Sequence, residues 1–338
     1  MKLSDPKYAK YALCKEMLET VDVIRNFKTK DLGKAIESLK QTKKLFMTGE
    51  GSSRIFPAKH TINLIQKMGF DLTAYTEGSR QAAELKLNDF TLFGASNSGK
   101  TKEVISLFKS KEAKGKFALI AHENTPLGAI SDDEYVLNCG NEDAVAATKS
   151  VIEQALFYHQ LIKTYIGATA EQCAASVGEL ADKSREVLEM EIAPELIDAI
   201  AKADVIYFAG RNVGVAEEAT LKTNEITRKK SGYLEGTYAV HGIEEVMTEN
   251  EVVIVVDPYK EEEEKFKEVL VDGVGMKVIA ISDHDTMFPT IKIPSMGCHD
   301  AYLQLQACWN IIVEVGIACG VDLDHPTRAR KVGNEFIG

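Results

Sequence analysis

The residues Gly94-Ala-Ser-Asn-Ser-Gly-Lys-Thr101 join an apolar run, Phe90–Phe93, to a helical pattern through Val104, Ile105, Leu107 and Phe108. A strand, a short hydroxylated loop and a helix start together make an anion site. The first backbone N–H groups of the helix lack partners, and its dipole favours negative charge. Ser96, Ser98 and Thr101 add hydroxyl donors. The stretch also spells the P-loop pattern G-x-x-x-x-G-K-[ST]. A second group is Glu218, Lys222 and Glu225, spaced to share one helical face, with His241 following in Ala239-Val-His-Gly242. A positioned carboxylate can abstract a proton alpha to a carbonyl, and a cation beside it can stabilise the enolate-like charge. Histidine can shuttle a proton near neutral pH. A third polar group is the carboxyl-terminal run Val321–Val332, with Lys331 near its end.

These groups need elements to hold them. Apolar residues from Tyr8 to Ile24 predict a helix over 6–27, and residues 31–42 a shorter one. Lys44–Thr48 reads as a strand ending in the small turn Gly49-Glu-Gly-Ser-Ser-Arg54, with a helix over 55–69. Leu72–Tyr75, Phe90–Phe93, Phe117–Ala121 and Tyr135–Asn138 read as further strands, with a helix over 78–87. Residues 146–203 are helical in pattern, as 146–167 and 170–202. The alternation then restarts with strands at Asp204–Ala209, Glu251–Val256 and Lys277–Ile281, and helices over 214–230, 260–272 and 300–319. Trp309 and its apolar neighbours are core by spacing. Strands alternating with helices predict two α/β domains, each a mostly parallel, doubly wound, flavodoxin-like sheet flanked by helices, over 1–180 and 181–338. Ligands of such sheets sit at the carboxyl ends of the strands. The two halves parallel each other, which suggests an internal duplication.

The 338 residues are 45% hydrophobic with a net charge of -11. That balance argues against nucleic acid as a partner, and an acidic chain must grip a phosphate with local donors. No apolar run reaches the ~20 residues of a membrane span, and no secretory signal opens the chain. The six cysteines form no C-x-x-C pair and read as reduced thiols of a cytoplasmic protein. His284-Asp285 and His299-Asp300 read as surface polar pairs, so no metal is expected. Glu261–Glu264 reads as a solvated first turn.

Which phosphate the loop holds has two answers. Val252–Asp257 resembles a Walker B strand, which would make the chain a P-loop NTPase. Against it, two or three strand–helix units precede the loop, which is rich in serine rather than glycine, and the Walker B candidate lies in the other half.

The motifs resemble those of the double sugar isomerase (SIS) domain family, most like the isomerase half of glucosamine-6-phosphate synthase and the related amino-sugar-phosphate deaminases. Ser96–Thr101 matches the family's S-Q-S-G-E-T phosphate loop, and Gly51-Ser52-Ser53 its G-T-S turn. Val145-Ala-Ala-Thr-Lys149 matches its V-A-S-T-K segment. Glu218 to His241 keeps the spacing from its E-G-A-L-K-L-K-E helix to its K-H-G turn. Asp322–Pro326 with Lys331 matches its D-x-D-x-P tail and terminal lysine.

The resemblance implies a sugar 6-phosphate bound without cofactor or metal. Ser96, Asn97, Ser98 and Thr101 would hold the phosphate, with Ser53 assisting. Gly51, Ser52, Val145, Ala147 and Glu218 would lie along the sugar. Glu225 would move a proton between C1 and C2, with Lys222 stabilising charge beside it. Lys331 would reach the sugar. His241 would promote ring opening and come from the partner subunit of a homodimer. The implied activity is aldose–ketose isomerisation or deamination of an amino sugar 6-phosphate. Alternatives are a deglycase acting on a fructosamine-type 6-phosphate and a phosphosugar-binding regulatory module.

The sequence departs from the family at Lys100, where the family has an acid, and at Ala147, where it has serine. It also departs over Ile226–Tyr238, which would place Arg228, Lys229 and Lys230 near the site to read an anionic substituent. With no glutaminase segment before residue 1, glutamine is not the expected amine source.

Overall fold

The computed structural model describes residues 1–330 and 335–336. The chain divides into two compact units. The first is Asp22–Glu142 with Ala147–Ala181 and Arg330–Gly338. The second is Met1–Val21 with Asp143–Ala146 and Asp182–Ala329.

The first unit holds a five-stranded sheet. Its strands are β1 (Lys44–Gly49), β2 (Thr73–Gly78), β3 (Thr91–Ala95), β4 (Gly115–Ile120) and β5 (Asp133–Val136). Their order is β2-β1-β3-β4-β5 and every pairing is parallel. Alternate residues serve opposite faces. Leu45, Met47, Phe93, Phe117 and Leu119 join one apolar cluster, with Ala58 and Leu64 of helix α1 (Ile55–Met68). Phe46, Leu92, Ala118 and Ile120 join the other, with Val104, Ile105 and Phe108 of helix α2 (Lys102–Ser110). Phe157 and Leu161 of helix α3 (Lys149–Tyr165) belong to the first cluster. Both faces are therefore covered, which is why these strands read as unbroken apolar runs.

The second unit repeats the plan with β6 (Val205–Gly210), β7 (Lys230–Glu235), β8 (Val252–Val256), β9 (Lys277–Ser282) and β10 (Thr290–Lys292). The order β10-β9-β8-β6-β7, again all parallel, matches the first sheet strand for strand when each unit is counted from its own first strand. The duplication suggested by the sequence is present at the level of topology. Helix α4 (Val215–Thr227) follows β6, and helix α5 (Asp300–Ala318) packs against it. Trp309 is fully buried in α5.

Several elements differ from expectation. The sheet strands β7 and β10 read as connecting segments in the sequence. Lys230-Ser-Gly-Tyr-Leu-Glu235 lacks a β-branched apolar run, and both strands lie at sheet edges, where one side needs no partner. The helix expected over 260–272 starts as a 3₁₀ turn, passes through Glu263–Phe266, and widens to a π-helix over Lys267–Val274. Glu263, expected on a solvated turn, is 5% exposed and accepts the Met287 N–H at 2.8 Å. The long stretch 170–202 is three helices, Ala170–Ala174, Val177–Glu189 and Pro194–Lys202, the last opened by proline at its first position. All six cysteines are free, four of them buried. Among the described residues no helix is long and apolar enough to cross a membrane.

Candidate active site

In a sheet of order 2-1-3-4-5 the ligand crevice opens between the first and third strands, where the connections leave in opposite directions. In the first unit those strands are β1 and β3, and the two candidate turns follow them. Gly51–Ser53 is a 3₁₀ turn after β1. A Cβ added at Gly49 would lie 3.0 Å from the Ala95 carbonyl oxygen, so glycine lets the two turns approach. The Gln154 amide of α3 lies 3.5 Å from Ser53 Oγ.

The loop after β3 is held from within. Ser96 is 2% exposed, and its Oγ lies 2.7 Å from Thr101 Oγ1. The Lys100 N–H donates to Ser98 Oγ at 3.2 Å, and the Gly99 N–H to the Ser96 carbonyl at 3.0 Å. Gly99 has φ +64, and a Cβ there would run into the Thr125 side chain. Thr101 is the N-cap of α2, yet its side chain makes no capping bond. Turned to Ser96 instead, it leaves the first N–H groups of α2 to an incoming anion. The Lys100 side chain is exposed.

Sequence reasoning missed Glu142. Its carboxylate is 8% exposed and takes the Thr148 N–H at 2.7 Å, Thr148 Oγ1 at 3.2 Å and Ser150 Oγ at 2.5 Å. Its other neighbour is the Asn97 amide, at 3.5 Å. One carboxylate thus contacts both the loop after β3 and the start of α3, where Ala147 and Lys149 lie. The signal was its place five residues before Ala147, beside a matched motif.

The second unit carries the proton-transfer candidates. Glu218 and Lys222 are 0% and 1% exposed on α4, with Lys222 Nζ 3.4 Å from Glu218 Oε1. The same Nζ lies 2.8 Å from Oε2 of Glu225, whose side chain is 23% exposed. A solvated face is thereby excluded for Glu218 and Lys222. The geometry is a buried ammonium between two carboxylates, one of which reaches solvent. His241 ends the 3₁₀ turn Tyr238–Val240 beyond β7 and is exposed. Val145 also belongs to this unit, its N–H donating to the Asp324 carbonyl at 3.2 Å. Lys331 lies outside the described residues.

At the carboxyl ends of β6 and β8 the second sheet carries an ion pair of its own. Arg211 Nη1 lies 2.7 Å from Asp257 Oδ2, and its guanidinium stands 4.0 Å from the Tyr259 ring centroid. An anion there would meet the Asp257 carboxylate. That residue is also the one a Walker B strand would offer to magnesium, and here it is given to Arg211.

In the basic cluster at 228–230, expected to read a substituent, Arg228 and Lys229 bond to carbonyls of the chain itself. Arg228 donates to the carbonyls of Glu225, Ile226 and Asp322. Lys229 Nζ donates to the Ala201 carbonyl at 2.9 Å, and Lys230 opens the edge strand β7. Of the histidine–aspartate pairs expected at the surface, His299 is instead buried, and the others engage local partners. His284 contacts Asp283, Asp285 pairs with Lys292, and Asp300 accepts from Ser295 and the Met296 N–H.

No family model matches the chain. A glutamine–fructose-6-phosphate aminotransferase (isomerizing) of Bradyrhizobium diazoefficiens is 28% identical over 307 residues, covering 81% of this chain. The chain spans about half that relative's length, 48%. The solved structure of a tagatose-6-phosphate ketose/aldose isomerase from Escherichia coli matches with a TM-score of 0.78 at 17% identity, covering 96% of this chain and 99% of that one. A glucosamine-6-phosphate deaminase from Thermotoga maritima matches with a TM-score of 0.72 at 19% identity, covering 95% and 99%. The fold of two parallel five-stranded sheets flanked by helices is shared with these phosphosugar isomerase and deaminase structures.

Proposed function

We propose that this chain is a sugar-6-phosphate aldose–ketose isomerase or an amino-sugar-6-phosphate deaminase, acting by ring opening and proton transfer between C1 and C2. The observation that carries the reading is the Glu218–Lys222–Glu225 group, in which a fully buried ammonium holds a carboxylate that solvent can reach. The hydroxylated loop Ser96–Thr101 and the uncapped start of α2 supply a phosphate grip without a nucleotide or a metal.

In this reading the phosphate binds Ser96, Asn97, Ser98, Thr101 and the first N–H groups of α2, with Ser53 at its edge. A grip at C6 orients carbons that the loop never touches. His241 takes the proton of the anomeric hydroxyl and gives one to the ring oxygen as the C1–O5 bond breaks and the C1 carbonyl forms. Glu225 takes the proton from C2 of the open aldose and returns it to C1, while the O2 proton moves to O1. Lys222 offsets the negative charge that builds on the enediolate. If C2 carries an amine, the same transfer gives an imine, and water releases ammonia. Lys331 would complete the sugar contacts, in a homodimer with shared sites and a cytoplasmic setting.

The test is a coupled screen of fructose, glucosamine, galactosamine and fructosamine 6-phosphates, beside thermal shifts with the same compounds and with Mg-ATP. Turnover of one of them supports the reading, and a fructosamine 6-phosphate preference would select the deglycase alternative. Stabilisation by Mg-ATP and by no sugar phosphate overturns it in favour of a P-loop NTPase. Sugar-phosphate binding without turnover leaves a phosphosugar-binding module.

A further inference from the structure

We propose that Arg228 is a positioning residue for Glu225, locking the end of α4 to the polar segment that begins at Asp322. The inference rests on the reading of Glu225 as the base.

Helix α4 ends at Thr227, and Arg228 follows it with φ 61. That left-handed conformation suits glycine and strains a residue with a side chain. Strain of this kind persists where the surroundings over-determine it, and here the side chain supplies the reason. The last carbonyls of a helix have no partners within it, and the helix dipole favours a cation beside them. Arg228 Nη1 donates to the Glu225 carbonyl at 2.6 Å and to the Ile226 carbonyl at 2.7 Å. Its Nη2 donates to the Asp322 carbonyl. A planar fork with several fixed donors can serve three carbonyls at once, which an ammonium on a flexible stem does poorly. One of the three carbonyls belongs to Glu225 itself.

The far side of the clamp is fixed as well. The Asp322 carboxylate accepts the Asp324 N–H at 2.9 Å, and this bond holds the Asp322 carboxyl below its usual range. The Asp324 carboxylate accepts the N–H groups of Ala12 and Leu13, at 2.9 and 2.8 Å, where the helix Ala12–Arg25 starts. Arg228 therefore ties the end of α4 to a segment anchored on a second helix. Small displacements of a base carry large rate losses, on the order of a hundredfold for about 1 Å.

The variants are Arg228→Ala, Arg228→Lys and Arg228→Gly. Glycine relieves the left-handed strain, so a folded protein without the clamp is secured even where alanine fails to fold. Loss of the clamp should lower kcat at least about tenfold with KM within about threefold. Added guanidinium ion should restore part of the loss in the glycine variant, and lysine should restore little. Amide hydrogen exchange should quicken together at 222–228 and 320–325. Unchanged kcat in folded Arg228→Gly overturns the proposal. So does a loss confined to KM, which would return Arg228 to substrate reading. If the native chain turns over no sugar phosphate, the functional reading falls. Hydrogen exchange then judges the clamp alone, and independent exchange of the two segments rejects it.

Discussion

Lys222 and Glu225 lie one helical turn apart with Nζ 2.8 Å from Oε2, and the ammonium is 1% exposed while the carboxylate side chain is 23% exposed. The charge that neutralises the pair is thus locked inside α4, and the charge that could act is at its rim. Lys222 also stands 3.4 Å from Glu218, which is 0% exposed. Removing one partner of a buried ion pair costs far more than the pair is worth, because it strands the other.

Lys222→Met should therefore lower stability by about 3–5 kcal/mol near neutral pH. Adding Glu218→Gln should recover much of that loss, since the stranded charge disappears. Urea denaturation of the two single variants and the double variant measures the coupling. Activity should stay lost in the double variant, which separates the charge needed for folding from the charge proposed for chemistry. A Lys222→Met protein as stable as the native one would show that Glu218 does not depend on this ammonium.

The loop proposed to grip phosphate has a second support that is local to its unit. The Phe336 N–H donates to the Lys100 carbonyl at 2.9 Å, and Glu335 bridges to Thr101 in antiparallel fashion. The Phe336 ring packs against the cluster that holds Val104, Ile105 and Phe108, with the Lys109 ammonium 4.0 Å from its centroid. Phe336→Ala should weaken inorganic phosphate binding by about three- to tenfold, the range expected when one aromatic anchor with a cation–π contact is lost. Phe336→Leu should fall between. Calorimetric titration decides it, and equal affinities would separate the tail from the loop.

Much of this was legible in the sequence, for physical reasons that differ by element. The central strands β3, β4, β6 and β8 are largely buried on both faces, so they appear as short apolar runs. The loop Ser96–Thr101 was legible as a strand-to-helix turn because its small hydroxylated residues interrupt two apolar elements. The edge strand β7 was not, because Lys230-Ser-Gly-Tyr-Leu-Glu235 satisfies only one side of a sheet and carries no periodic signal. The helix face of Glu218, Lys222 and Glu225 looks the same in sequence whether solvated or buried; only its packing reveals the ammonium inside. Arg228 was read as a substrate contact because spacing shows proximity along the chain and says nothing of which carbonyls a guanidinium caps. Glu142 was overlooked because a lone carboxylate gives no signal until its donors fold around it.

Alkaline pH should loosen the second unit at an identifiable point. Burial pushes the Cys14 thiol up from 9.0 to about 12, with the Asp324 carboxylate adding to the shift. Burial and the hydrogen bond to Glu314 push the Tyr8 hydroxyl up from 10.0 to about 12. Both folded-state values lie above the unfolded ones, so their contribution is fully present below pH 9 to 10. It is lost as pH rises through about 12. Denaturation midpoints should fall over that window. Cys14→Ala and Tyr8→Phe should each flatten the fall while leaving the neutral-pH slope alone. A midpoint that falls equally in both variants would place the titration elsewhere.

The arrangement of the proton-transfer groups leads to the last prediction. His241 is exposed beyond β7, and the large apolar side chains Tyr238 and Val246 on either side of it are 51% and 69% exposed. A second copy of the chain is the simplest cover for such a pair around a histidine that the proposed reaction needs. If each site takes Glu225 from one copy and His241 from another, Glu225→Gln and His241→Ala should each be inactive alone. In a hybrid dimer one site then carries both substitutions and the other carries neither. Random reassociation makes about half of the dimers hybrid, so the mixture should regain about a quarter of native activity. The measurement is turnover after co-refolding differently tagged variants, with tandem purification to confirm the hybrid. A purified hybrid with no activity, beside an active native dimer, would show that each copy supplies its own histidine. A chain that remains monomeric and active would show that the exposed pair serves another purpose.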